Sequence, residues 1–268
     1  MPSPRAPTIL ASWAATMSRA LAGLGLDVPD LLRQADVRAD ALRDPSARLT
    51  APQLHALWEQ AQRASGDPLI GLEVARNVTP NTFQALGYAL AASGTLRELL
   101  EGLVRYVRMV ADHVEVQLTE EGPHLHVDFR PVGDGPHQAA MDAAMCVLFH
   151  ACRRLSDGSC QVVEVRLRRP EPEDLLRYKR FFSHAPLVFG DACNRLTLDS
   201  LATHLPMPWG NAELVQANAA VVERYLARVH QDDICNRVRL ALVALLPRGE
   251  PSPQSVAEAL NLSVRSMQ

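Results

Sequence analysis

With 268 residues the chain is long enough for one large domain or two ordinary ones. Its 47% hydrophobic and 21% charged residues are the balance of a soluble globular protein, not of a disordered or fibrous one. A net charge of -3 excludes a global attraction to nucleic acid or acidic membranes, while leaving room for a locally basic docking face.

The N-terminal "TILASWAATMSRALAGLGLDV" repeats Leu10, Trp13, Ala14, Met17, Leu21 and Leu24 at helical spacing. Arg19 interrupts any targeting core, so an amphipathic helix is expected. Thr50 precedes a second helix with Leu54, Leu57, Trp58 and Ala61 on one stripe. Asp67-Pro68 supplies a cap and a first-turn proline for "PLIGLEVAR". Two capping boxes follow, Asn81-x-x-Gln84 before "FQALGYALAAS" and Thr95-x-x-Glu98 before "LRELLEGLVRYVRMV".

The period then changes from about 3.6 to 2. "HVEVQLTEEGPHLHVDFR" alternates on both sides of Glu121-Gly122-Pro123 and predicts a hairpin. A helix from about Gln138 to Leu155 is apolar nearly all round and therefore interior. "VVEVRLRR" predicts a further strand, Pro172 starts the helix "EDLLRYKRFF", and "PLVFG" and "NRLTLD" predict two more strands. The fold class expected is α+β. A helical N-terminal part leads into a small, mostly antiparallel sheet of about five strands with two crossing helices.

"HLPMPWGN" breaks the chain before a long helix beginning at Asn211. That helix suits a linker or a dimer interface, and "DICNRVRLALVALL" predicts one more. In the closing "PSPQSVAEALNLSVRSMQ", Ser252 caps a short helix with Pro253 in its first turn. Asn261 tolerates a left-handed turn, and Ser263 can cap a second helix. Helix, tight turn, helix is the geometry of a helix-turn-helix, though an ordinary αα-hairpin has the same pattern.

These residues carry a resemblance. "LLPRGEPSPQSVAEALNLSVRSMQ" resembles the opening of the DNA-binding domain of AraC/XylS-family transcriptional regulators, with Asn261 in place of the turn glycine. "DVPDLLRQADV", "DPSARLTAPQLHALWEQA", "GDPLIGLEVA", "TFQALGYALAASGTLRELLEGLVRYVRMV" and "RYKRFFSHAPLVFGDACNRLTLD" are similar, in order, to the N-terminal domain of one subgroup. That subgroup has an arabinose-binding-type N-terminal domain and includes regulators like the ornithine-utilisation regulator.

The resemblance implies a ligand-sensing domain over 1–208, a linker or dimerisation helix over 209–230, and a C-terminally truncated helix-turn-helix domain over 231–268. It implies that Ser263, Arg265 and Gln268 lie where family members meet DNA. Arginine can pair with guanine and glutamine with adenine, each worth roughly 1–3 kcal/mol of discrimination. A truncated head is expected to bind DNA poorly, since most phosphate contacts are missing. The implied partners are promoter DNA for a full-length protein, RNA polymerase, a second copy in a homodimer and a small effector, an amino acid or other carboxylate. Activation is the commoner mode in the family.

For the effector, Phe83, Tyr88, Arg105, Tyr106, Arg108 and His113 come to neighbouring helices, giving aromatic walls and a cation suited to a carboxylate. Core aromatics and surface arginines are the plain alternative. His124 and His126 share a strand face but have no third ligand nearby, so exposed strand residues are expected and no metal or cofactor. Cys146 and His150 share a helix face, and Cys152 is rotated away. The five cysteines are odd in number and form no CxxC pair, as expected in a reducing cytoplasm, and no run is long enough to span a membrane. No linear catalytic motif occurs, so a regulator is expected and not an enzyme. A stand-alone sensor or dimerising antagonist without DNA binding is the alternative.

Overall fold

The computed structural model describes residues 6–44, 46–183, 185–229 and 251–260. The chain divides into two compact units, Met1–Ala219 and Ala220–Gln268.

The first unit opens with β1 (Thr8–Leu10) and α1 (Ala11–Gly23), followed by α2 (Val28–Gln34), β2 (Arg48–Thr50) and α3 (Ala51–Ser65). β1 pairs antiparallel with β2, Ile9 opposite Leu49. The sequence predicted neither strand, and α1 starts after Leu10 instead of including it. The Thr50 cap stands: its side chain accepts from the Gln53 amide, and Gln53 reciprocates.

α4 (Ile70–Ala75), α5 (Gln84–Ala91) and α6 (Leu96–Val110) complete the helical part. Asp67 does hold the Leu69 amide at 2.9 Å, but α4 begins only at Ile70. Before α5 the reciprocal cap is Thr79 with Thr82, not Asn81 with Gln84, and it closes a 3-10 turn, Pro80–Phe83. Proline is at home directly after a cap, which selects Thr79. Thr95 caps α6 by accepting from the Glu98 amide, while the Glu98 carboxylate takes the Gly94 amide instead of returning to Thr95.

β3 (Val114–Glu121) and β4 (His124–Pro131) form the predicted hairpin, with Glu121 opposite His124 and Gly122 at φ +57° in the two-residue turn. α7 (Gln138–Leu155), β5 (Val162–Leu167), α8 (Leu175–Phe181), β6 (Leu187–Phe189) and β7 (Asn194–Asp199) follow. α8 is capped by Asp174, so Pro172 lies ahead of the helix and not in it. The sheet order is β3-β4-β7-β5-β6, antiparallel except for the parallel β5–β6 pair. Asp128 and Arg195 face each other in the β4–β7 register and pair through two bonds of 2.6 and 2.7 Å.

Two apolar clusters fill this unit, and α7 feeds both. Met145, Cys146, Phe149 and Cys152 pack with the sheet, α6 and α8, while Ala139 and Ala143 pack with α1, α3 and α4. A helix clamped on two sides must be apolar nearly all round, as its sequence indicated. Arg177 on α8 grips Asp67 with bonds of 2.9 and 2.7 Å and reaches Glu73 on α4 at 2.9 Å, tying the layers together. His126, expected to be exposed, is buried beside β7, with Nδ1 3.0 Å from the Thr197 hydroxyl.

α9 (Ala212–Val229) starts at the predicted place, with Asn211 accepting from the Leu214 amide at 3.0 Å. Along it Val222 and Tyr225 are buried, whereas Leu214 and Val221 are exposed. In the second unit α10 (Pro253–Ala259) has the expected Ser252 cap, which accepts from the Ser255 amide at 3.1 Å, and it buries Val256 and Ala257. The predicted helix "DICNRVRLALVALL", Cys235, and the DNA-contact candidates Ser263, Arg265 and Gln268 lie outside the described residues. Among the described residues no helix is long and apolar enough to cross a membrane.

Candidate functional site

A cavity of about 530 Å³ opens inside the first unit, the size of a small-molecule site. One wall is α7, where Ala140, Ala144, Val147 and Ala151 recur at helical spacing and end on Arg154. Opposite stand Leu99, Leu103, Val107 and Val110 of α6, and Leu86, Gly87 and Leu90 of α5. The void has a local cause. Alanine side chains on an interior helix are smaller than the leucine and valine side chains across the cavity, so they leave space that larger residues would fill. The remaining sides come from Ile9 and Trp13, the segment Ala75–Pro80, and Val114 and Phe129 of the sheet.

Gly87 lets α5 close this wall. An added Cβ would lie 1.9 Å from the Pro80 carbonyl oxygen, so only a glycine permits the approach. Phe83 stacks on Trp13 at 5.8 Å between ring centres and contributes to the lining.

Of the effector candidates read from the sequence, Phe83 and His113 reach the cavity. Tyr88 is 49% exposed, and Arg105 and Arg108 lie on the surface. Arg105 sits over the Tyr106 ring at 5.8 Å, and Arg108 reaches Glu115 at 3.6 Å. Tyr106 is buried but does not line the space. The structure therefore does not gather these six side chains at one point. The cations of the cavity wall are Arg76 and Arg154, which the sequence reading did not single out. The signal it could have used is the alanine stripe on α7 running into Arg154.

Polar groups are few. Thr79, His113 and His150 join the two arginines, and among the described residues the lining has no Asp, Glu, Asn, Gln, Ser or Tyr. His113 is buried, and its Nδ1 has no hydrogen-bond partner among the described residues. Burial holds its imidazole below the ordinary value of 6.5, with Asp112 acting the other way. The unfolded chain then binds the proton more readily than the folded one. The stability this neutral histidine provides is full above the unfolded value and is lost as pH falls toward the depressed folded value. Wild type should thus lose more of its urea midpoint between about pH 7.5 and 5.5 than His113→Gln does, and equal losses would contradict a neutral buried His113.

Burial likewise pushes the Cys146 thiol up to about 12 and the Cys152 thiol upward, so neither is a thiolate nucleophile near neutral pH. His124 and His126 lie with ring centres 6.3 Å apart, and among the described residues no group of three or more His, Cys, Asp or Glu could hold a metal ion.

Residues 25–207 match a family model described as the arabinose-binding N-terminal domain of AraC transcription regulators. The chain belongs to this AraC-type family. The matched span contains the cavity lining from Leu54 to Leu155, with Ile9 and Trp13 ahead of it. The ornithine utilization regulator of Pseudomonas aeruginosa is 26% identical over 260 residues, which is 96% of this chain and 76% of that protein. An HTH-type transcriptional regulator of Mycobacterium bovis is 29% identical over 116 residues, 40% of this chain and 34% of its own length. The crystal structure of the transcriptional regulator CdpR from Pseudomonas aeruginosa superposes with a TM-score of 0.55 over 93% of this chain and 76% of that one, at 21% identity. That likeness places the AraC-type chain in the same fold.

Proposed function

We propose that this chain is the sensing part of a ligand-responsive transcriptional regulator, with a small effector bound in the α5–α6–α7 cavity. The observation that carries the reading is a preformed, bounded cavity inside the domain that defines the family. Effector binding would favour one arrangement of the sensor and its linker over another. That shift would set how a helix-turn-helix beginning within 231–268 engages promoter DNA and RNA polymerase. Activation, pairing of two copies through the exposed Leu214 and Val221 of α9, and base contacts by Arg265 and Gln268 belong to the same proposal.

The family's description and the relative's name make arabinose and ornithine the first compounds to test. At a hundredfold excess over Kd a true effector adds about 2.7 kcal/mol to stability, visible as a raised melting temperature. The same effector should change how the full-length protein retards the DNA upstream of its coding sequence. A stabilising compound that leaves DNA retardation unaltered would instead identify a stand-alone sensor, and turnover of that compound would overturn the regulator reading.

A further inference from the structure

The chemistry of the cavity wall narrows the effector, on the reading that this cavity is the effector site. A sugar presents a hydroxyl on nearly every carbon, and each one buried without a partner costs free energy. A diamino acid presents two ammonium groups that need acceptors, most favourably carboxylates. The wall has neither a carboxylate nor a carboxamide among the described residues, and its long sides are alanine, valine and leucine. It suits a predominantly apolar body instead.

The charge at the opening is positive. Arg76 and Arg154 both line the cavity and are exposed, which places them at its open end. Arg76 is shared between Glu73 at 3.3 Å and the face of Phe181 at 4.5 Å. Arg154 forms no ion pair among the described residues. His150, one turn before Arg154, also lines the cavity. Burial lowers its affinity for a proton, and Arg153, Arg154 and Arg76 add to the effect while a hydrogen bond with the Phe181 backbone opposes it. Arg76, His150 and Arg154 thus face one cavity.

We propose that the cavity takes an amphiphilic monoanion, an apolar chain or ring with a single carboxylate. Its body lies against the Ala140–Ala144–Val147–Ala151 stripe, and its carboxylate meets Arg154, with Arg76 and His150 beside it. Arginine is the natural partner here, because its planar fork matches a carboxylate in two bonds.

The test is titration calorimetry of the full chain with dodecanoate, dodecanol, arabinose and ornithine. Dodecanoate should bind one to one. Arg154→Gln should weaken dodecanoate about tenfold and leave dodecanol unchanged. Ala144→Phe, which puts a ring into the void, should abolish both while the far-ultraviolet spectrum stays the same. Ala151→Leu serves the same purpose if the phenylalanine disturbs folding. If arabinose or ornithine binds in place of dodecanoate and Ala144→Phe blocks it, the cavity remains the effector site and the amphiphile is wrong. If binding of every compound survives the filling substitutions, the cavity is not the site at all. Dodecanoate binding indifferent to Arg154→Gln overturns the head-group assignment.

Discussion

Asp142→Ala should destabilise the first unit by about 3–5 kcal/mol, the cost typical of removing one member of a buried ion pair. Asp142 lies fully buried on α7 and accepts from Arg169, from the Tyr178 hydroxyl at 3.0 Å and from Gln138 at 3.0 Å. Burial pushes its carboxyl above the usual range, and Arg169 and these hydrogen bonds act against that push. Arg169 itself rests over the Tyr178 ring at 5.2 Å. Truncation leaves a buried guanidinium without its counter-charge, which is worse than having neither group. The double substitution Asp142→Leu with Arg169→Met should therefore recover much of the loss. Urea unfolding of the three chains decides it: a single-variant loss below about 1 kcal/mol would mean that water reaches and solvates Arg169. The pair also ties α7 to Arg169 and to Tyr178 of α8, so affinity for the effector proposed to lie on the alanine stripe should fall with it.

Gly71→Ala should cost about 3 kcal/mol, at the upper end of ordinary overpacking. A Cβ at this position in α4 would lie 2.0 Å from the Ala139 carbonyl oxygen at the start of α7. The obstacle is backbone, so no rotamer change relieves it, and one helix must move away from the other. A melting temperature lower by roughly 6–12 °C follows for a domain of this size. A change of under about 2 °C would show that α4 and α7 are not held at this distance in solution.

Much of this architecture was legible because the hydrophobic period changes along the chain. The shift to alternation after His113 marked the β3–β4 hairpin down to its turn, and α7 begins and ends at the residues expected. Ser252 and Pro253 announced α10 by cap chemistry alone. β1 and β2 were missed because three residues are too few to display a period of two. The start of α5 was misplaced because Asn81 and Gln84 imitate a cap that Thr79 and Thr82 actually form.

The site was less legible, for a different reason. Aromatic and cationic side chains draw attention, yet Tyr88, Arg105 and Arg108 point away from the space that Phe83 and His113 help to line. A void is made by atoms that are missing. Ala140, Ala144 and Ala151 look like filler in a sequence, and only the fold shows that they line a cavity.

The strand order has a bearing on how the protein is made. β7 sits at the middle of the five strands and is the last of them to leave the ribosome. Until Asp199 has been synthesised, the β3–β4 ribbon and the β5–β6 pair each expose a bare hydrogen-bonding edge of the kind that seeds aggregation. The cavity, whose walls are all translated by Leu155, thus waits on forty-odd later residues before the sheet beneath it is complete. A nascent chain stalled in that interval is the form most in need of a chaperone.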